Sequence, residues 1–177
     1  MDTVRDAFVA ATERSDRLGF DMIEGHSAHG YLLHEFLSPI ANSRNDEYGG
    51  TIKNRMRFPL EVFAAMRAVW PEAKPMGLRL SATDWEDEGW TLDDSVVYAQ
   101  NLKELGCDYI CASSGGISGN TRLELGEGYQ VDFAAKIRAE ADIPTMAVGM
   151  IYDPHHSESI VSTGQADMVA LARGLLF

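Results

Sequence analysis

Two imidazoles and a phenol stand within six residues in Gly25-His26-Ser27-Ala28-His29-Gly30-Tyr31, directly after the strand-like run Phe20-Asp21-Met22-Ile23-Glu24. These types suit the reduction of a carbonyl compound. Two ring N–H groups can hold an oxygen that gains charge, and a phenol can deliver a proton to carbon. A phenol's high intrinsic pKa keeps its proton available at neutral pH until carbanion character develops. His-x-x-His alone is a weak signal, so the elements that carry these residues have to be read as well.

The chain alternates short apolar or β-branched runs with amphipathic segments, the signature of consecutive βα units. Thr3 to Leu18 carries Val4, Phe8 and Ala11 at helical spacing and stops at Gly19. A strand over Asp21 to Gly25 follows, then a long loop to Thr51 and a helix striped by Ile52, Met56, Leu60, Phe63, Met66 and Val69, in which Pro59 kinks or restarts the turn. Met76 to Ser81 reads as a strand. Thr91 with Asp94 forms a capping box for a helix ending at Gly106. A strand over Asp108 to Ala112, a helix bearing Phe133 and Ile137, a strand over Ile143 to Val148, a helix started by Asp153-Pro154 and stopped at Gly164, and a strand over Ala166 to Ala172 complete the reading.

Five strands and five crossover helices fit either an open doubly wound sheet or part of a (β/α)8 barrel. The polar residues favour the barrel. His26, Ser81, Ser113, Gly149 and Arg173 fall at or just past five successive strand ends. That distribution describes a barrel mouth, whereas an open sheet concentrates its signals at one switch point. Gly149 and Ala172-Arg173 follow the last two strands, where barrels build phosphate sites from backbone N–H groups.

Bulk properties exclude other classes. A chain of 177 residues holds one domain. A net charge of −12, with the 15 Lys and Arg scattered, argues against nucleic acid or an anionic membrane surface as partner. No apolar stretch approaches the roughly 20 residues of a bilayer span, and no signal-peptide pattern opens the chain, so a cytoplasmic location is expected. Cys107 and Cys111 read as buried small apolar residues on one strand face. Zinc would need a third ligand such as His34 or Glu35, but His-Glu-x-x-His is absent, so no metal is expected. Gly116-Ile117-Ser118-Gly119-Asn120 fails the hydrolase elbow at its last position, and no Gly-x-Gly-x-x-Gly follows a strand.

Seven ordered blocks together resemble the Old Yellow Enzyme family, in its NADPH dehydrogenase and xenobiotic reductase branch. They are Phe20 to Tyr31; Phe36-Leu37-Ser38-Pro39 through Asp46-Glu47-Tyr48-Gly49-Gly50 to Asn54-Arg55; Arg79-Leu80-Ser81-Ala82; Ala112-Ser113-Ser114-Gly115-Gly116; Gly128-Tyr129-Gln130-Val131; Ala147-Val148-Gly149; and Leu171-Ala172-Arg173. The resemblance implies an FMN-containing (β/α)8 barrel that reduces the C=C bond of α,β-unsaturated carbonyl compounds, and often nitro compounds, with NADPH. It also implies that residues 1–177 form a single partial barrel, about strands 4 to 8, lacking strands 1 to 3 and the final helix. A homo-oligomer or a complementing amino-terminal barrel segment is then the expected partner.

By the same resemblance, His26 and His29 polarise the substrate carbonyl and Tyr31 protonates the α-carbon. Arg79 lies near flavin N1 and O2, where a permanent positive charge raises the reduction potential; an internal salt bridge with Glu24 is its competing role. Gly149, Ala172 and Arg173, with help from Ser113, hold the FMN phosphate. Ala172 stands where many members have Gly, and Gly25 stands where a large aliphatic residue is usual, facing the helical layer by strand alternation. A catalytically silent partial barrel that only binds or associates is the alternative expectation.

Overall fold

A computed structural model describes residues 1–119 and 125–176. Asn120, used in the sequence reading, lies outside the described residues. Five strands, Ile23–Ser27 (β1), Met76–Ser81 (β2), Tyr109–Ser113 (β3), Thr145–Val148 (β4) and Met168–Ala170 (β5), form one parallel sheet whose order follows the chain. Each strand adds beside its predecessor, so among the described residues the order never reverses and no switch point occurs. This is the wall of a partial (β/α)8 barrel and not a doubly wound sheet.

Among the described residues six α-helices accompany the strands: Asp2–Arg17 (α1), Leu32–Leu37 (α2), Ile52–Val69 (α3), Leu92–Glu104 (α4), Val131–Ala141 (α5) and Pro154–Ser162 (α6). A 3-10 turn, Arg173–Leu175, follows β5. Local chemistry sets their ends. The Thr91 side chain accepts from Asp94 N–H while the Asp94 side chain accepts from Thr91 N–H, so the expected capping box forms. Asp153 caps α6 by accepting from His155 N–H, with Pro154 in the first turn. None of the described helices is long and apolar enough to cross a membrane.

Strand alternation divides the sheet into two faces. Leu78, Leu80, Ile110, Ala112 and Ala147 are buried in one core with Val62 and Phe63 of α3, Tyr98 and Leu102 of α4, and Ile137 of α5. Each of the Leu, Ile, Val and Phe side chains among them stabilises the fold by about 1.5–3 kcal/mol. The other face carries a row in register across all five strands, His26, Arg79, Cys111, Met146 and Met168. Gly25 faces the helical layer as expected: a Cβ there would meet Leu78 and Met66.

Several details differ from the sequence reading. The last two strands are shorter than the expected 143–148 and 166–172, at Thr145–Val148 and Met168–Ala170. The first strand runs two residues later, so His26 lies within it. The segment 32–37 is a helix and not loop, because Leu33 and Leu37, one turn apart, are both buried. The helix over Pro59 is continuous; Pro59 and its neighbours Phe58, Val62 and Phe63 are buried, and that packing holds the turn lacking one N–H. Cys107 is buried but precedes β3, so only Cys111 belongs to a strand face.

Candidate active site

The path of the chain after β1 creates the site. His29 and Gly30 both adopt left-handed backbone conformations, φ 59° and 74°, which turn the chain so that Tyr31 becomes the N-cap of α2. Gly30 has no room for a side chain: a Cβ would lie 2.3 Å from the Gly116 carbonyl oxygen. Gly116, itself at φ 93°, would place a Cβ 2.5 Å from His29 Cα. The loops after β1 and β3 therefore touch backbone to backbone. Ser81 at the end of β2 ties them, accepting from His29 N–H at 3.0 Å and donating to the Gly115 carbonyl at 2.8 Å.

The consequence is a cluster of three rings. The His26 centroid lies 5.3 Å from those of both His29 and Tyr31. Tyr31 keeps 64% of its surface exposed, so its phenol is open to a ligand. Both histidines are held below the ordinary imidazole pKa. For His29 the value falls to about 4, first through burial and then through the positive charge of Arg79 and the neighbouring histidines. His26 shifts the same way, first through burial and then through Arg79 and His34. Both rings are neutral at pH 7 and offer one N–H each.

Ser113 links this cluster to Arg79. Its Oγ lies 2.7 Å from His29 Nε2 and accepts from Arg79 Nη2 at 3.3 Å. Arg79 has no ion pair among the described residues, and its Nε is buried without a partner. The competing salt bridge with Glu24 does not form. Glu24 senses the guanidinium at longer range, yet burial dominates and its pKa is raised. A guanidinium left with an unused buried donor fits an acceptor-bearing ligand better than a structural ion pair.

Arg79, Ser113 and His29 line a cavity of about 500 Å³ together with Gly149, Ala172 and Arg173. Arg173 has no ion pair among the described residues despite the chain's net charge of −12. Gly149 adopts φ 127°, and a Cβ on it would lie 2.7 Å from Gln130 Nε2, so only glycine fits. Ala172 has φ −117°, so its methyl causes no left-handed strain. His26 and Tyr31 do not line this cavity; they stand beside it, reached through the His29 ring.

Sequence reasoning missed two supporting groups. Gln130, within a block quoted for its family resemblance alone, accepts from Ser114 Oγ at 2.5 Å and donates to the Val148 carbonyl at 2.7 Å, bracing the cavity wall. His34, weighed above only as a zinc ligand, is fully buried: it accepts from Gly30 N–H through Nδ1 at 3.0 Å and faces Asp84 Oδ1 through Nε2 at 2.8 Å. A histidine four residues after a glycine between two candidate catalytic residues is a signal only once the turn at Gly30 is known.

Comparison with known proteins adds an independent line. The profile of the NADH:flavin oxidoreductase / NADH oxidase family matches residues 1–177. An NADPH dehydrogenase of Geobacillus sp. (strain WCH70) is 48% identical over 170 residues, covering 96% of this chain and 49% of that protein. The NADPH dehydrogenase of Bacillus subtilis (strain 168) is 45% identical over 175 residues, covering 99% of this chain and 51% of its own length. The chain thus spans about half the length of the curated relatives it matches. Among solved structures, morphinone reductase in complex with tetrahydroNAD superimposes with a TM-score of 0.77 at 28% identity, over 97% of this chain and 45% of the other.

Proposed function

The chain belongs to the NADH:flavin oxidoreductase / NADH oxidase family, and from that premise we propose that it supplies the substrate and flavin-phosphate half of an NADPH-dependent, FMN-containing ene-reductase. Arg79 carries the reading. A buried guanidinium Nε without a partner, in a cavity that Arg173 also lines, matches a ligand that carries both acceptor atoms and an anionic group. FMN has that form. Arg79 would hold the ring's pyrimidine edge, and Arg173 with the backbone around Gly149 and Ala172 would hold the phosphate. When bound, the flavin supplies the hydride taken from NADPH.

The remaining steps fall to the residues of this chain. His26 and His29, neutral because burial and Arg79 depress their pKa values, donate N–H groups to the carbonyl oxygen of an α,β-unsaturated substrate and draw electron density from its β-carbon. For His29 this means either exchanging the Ser113 contact at Nε2 for the substrate or using Nδ1. Tyr31, exposed beside His26, gives its phenolic proton to the α-carbon as carbanion character develops there. Ser113 couples His29 to Arg79, so the substrate and flavin ends of the site share one hydrogen-bonded path.

A second reading is a partial barrel that binds or associates without turning over. It draws on the sheet edges: β1 and β5 each pair on one side only, and unpaired edges recruit other strands. Visible absorption separates the two. The chain is mixed with FMN, alone and together with the segment of a full-length relative that it does not span. Retained flavin that bleaches with NADPH and recovers on adding 2-cyclohexenone supports the ene-reductase; failure to retain flavin under either condition refutes it.

A further inference from the structure

Gly30 is the hinge of the ring cluster, and its N–H is held by a side chain assigned no role so far. His34 accepts that N–H through Nδ1 at 3.0 Å, so Nδ1 carries a lone pair and the ring proton sits on Nε2, facing Asp84 Oδ1 at 2.8 Å. Asp84 is fully buried and saturated with donors: its Oδ2 accepts from Ser38 Oγ at 2.6 Å and from Trp90 N–H at 2.7 Å. Although burial pushes its pKa up, the hydrogen bonds from His34, Ser38 and Trp90 outweigh that and hold the carboxyl below its ordinary value. A buried carboxylate facing one ring nitrogen selects the tautomer presented by the other.

We propose that Asp84 locks His34 in its Nε2–H tautomer, and that this tautomer, by gripping the Gly30 N–H, is the positioning device for His29 and Tyr31 on either side of it. The inference rests on the ene-reductase reading for its catalytic consequence but not for its geometry. His34 and Asp84 are positioning residues, because neither lines the cavity. The grip acts at a residue with little room to adjust, since Gly30 is pressed against the Gly116 carbonyl and already left-handed.

Asp84→Asn tests the lock with almost no change in shape. Two donors converge on Oδ2, so the amide oxygen must occupy that position and the NH2 must face His34 Nε2. Nε2 then has to accept, the proton moves to Nδ1, and Nδ1–H meets the Gly30 N–H donor to donor. An equivalent carboxylate-to-amide change in a serine protease triad imposes the wrong tautomer in the same way.

Nitrogen-15 spectra of the His34 ring in this chain should show protonation at Nε2 and a coupling across the hydrogen bond between Gly30 N and His34 Nδ1. In Asp84→Asn the proton should move to Nδ1, the coupling should vanish, and the Gly30 amide should exchange about tenfold faster or more, while amides of β2 keep their protection. In flavin-loaded protein, the variant should lower kcat for 2-cyclohexenone about 100-fold. A proton on Nδ1 in the unmodified chain, or no coupling to Gly30, overturns the proposal even if the variant fails to fold. A folded variant with the switched tautomer and unchanged enone turnover overturns the positioning role. An unmodified protein that retains flavin but reduces no enone refutes the ene-reductase reading instead, and the ring spectra still decide the lock.

Discussion

Replacing Gly30 with alanine tests whether the ring cluster is set by backbone contact between two loops. Two costs combine. Alanine at φ 74° pays about 1–2 kcal/mol for the left-handed conformation. Its Cβ would also sit 2.3 Å from the Gly116 carbonyl oxygen, where ordinary contact begins at 3.4 Å, so the loops must part by 3.4 − 2.3 = 1.1 Å. The opposing atom is backbone, and Gly116 is itself pressed against His29 Cα, so no side chain can yield. Separation also strains the hydrogen bond from Gly30 N–H to His34, worth about 1 kcal/mol. These two figures sum to about 2–3 kcal/mol before the separation itself is counted, at the upper end of the ordinary range for a point substitution. Gly19→Ala is the matched control, because Gly19 has φ 81° but open space around its Cβ position; it should cost only the conformational part, about 1–2 kcal/mol. Urea unfolding followed by circular dichroism and tryptophan fluorescence, with m-values compared to confirm that the unfolded states match, gives both numbers. If Gly30→Ala costs no more than Gly19→Ala, the loops do not meet as described.

Three further outcomes follow from the site. Tyr31→Phe should slow enone reduction about 100-fold or more while flavin reduction by NADPH persists; stopped-flow absorbance resolves the two half-reactions, and equal loss in both removes the phenol from the proton-donor role. Gly25→Ala should raise stability by about 0.5–1 kcal/mol, because Gly25 lies in a strand without positive φ and its Cβ would meet the movable end of Leu78 at 3.1 Å; a lower urea midpoint would show that Leu78 cannot give way. Acid should weaken the fold through His29. Its folded pKa lies below the unfolded value of 6.5, at about 4, so the folded state binds fewer protons, and stability is intact above pH 6.5 and falls as pH drops toward 4. Screening of the partly exposed ring limits the loss to about 1–2 kcal/mol. His29→Gln should flatten that part of the stability profile in urea titrations between pH 7.5 and 4, and an unchanged slope would assign it to other groups.

The elements legible in the sequence are those whose signals are local. Met76–Ser81 appears as a strand of the expected bounds. The Thr91 and Asp153 caps form because the groups that make them lie two or three residues apart. The five marked strand ends identified a barrel because alternation along each strand, together with position at its carboxyl end, is a property of the chain itself. The short α2 was not legible, since six residues carry too little of the helical period to distinguish it from loop.

The sequence by itself therefore determined the βα alternation, the barrel class and the chemical types available at the mouth. Tertiary structure alone decided which of those groups meet. Ser113 reaches His29 across 84 positions and Arg79 across 34, and His34 reaches Asp84 across 50. None of these separations carries a periodic signature. Hydrogen bonds between loops depend on the relative placement of whole strands, set by the packing of Leu78, Ile110 and their helical neighbours, and only the assembled sheet brings Gly30 against Gly116 and the three rings into one cluster.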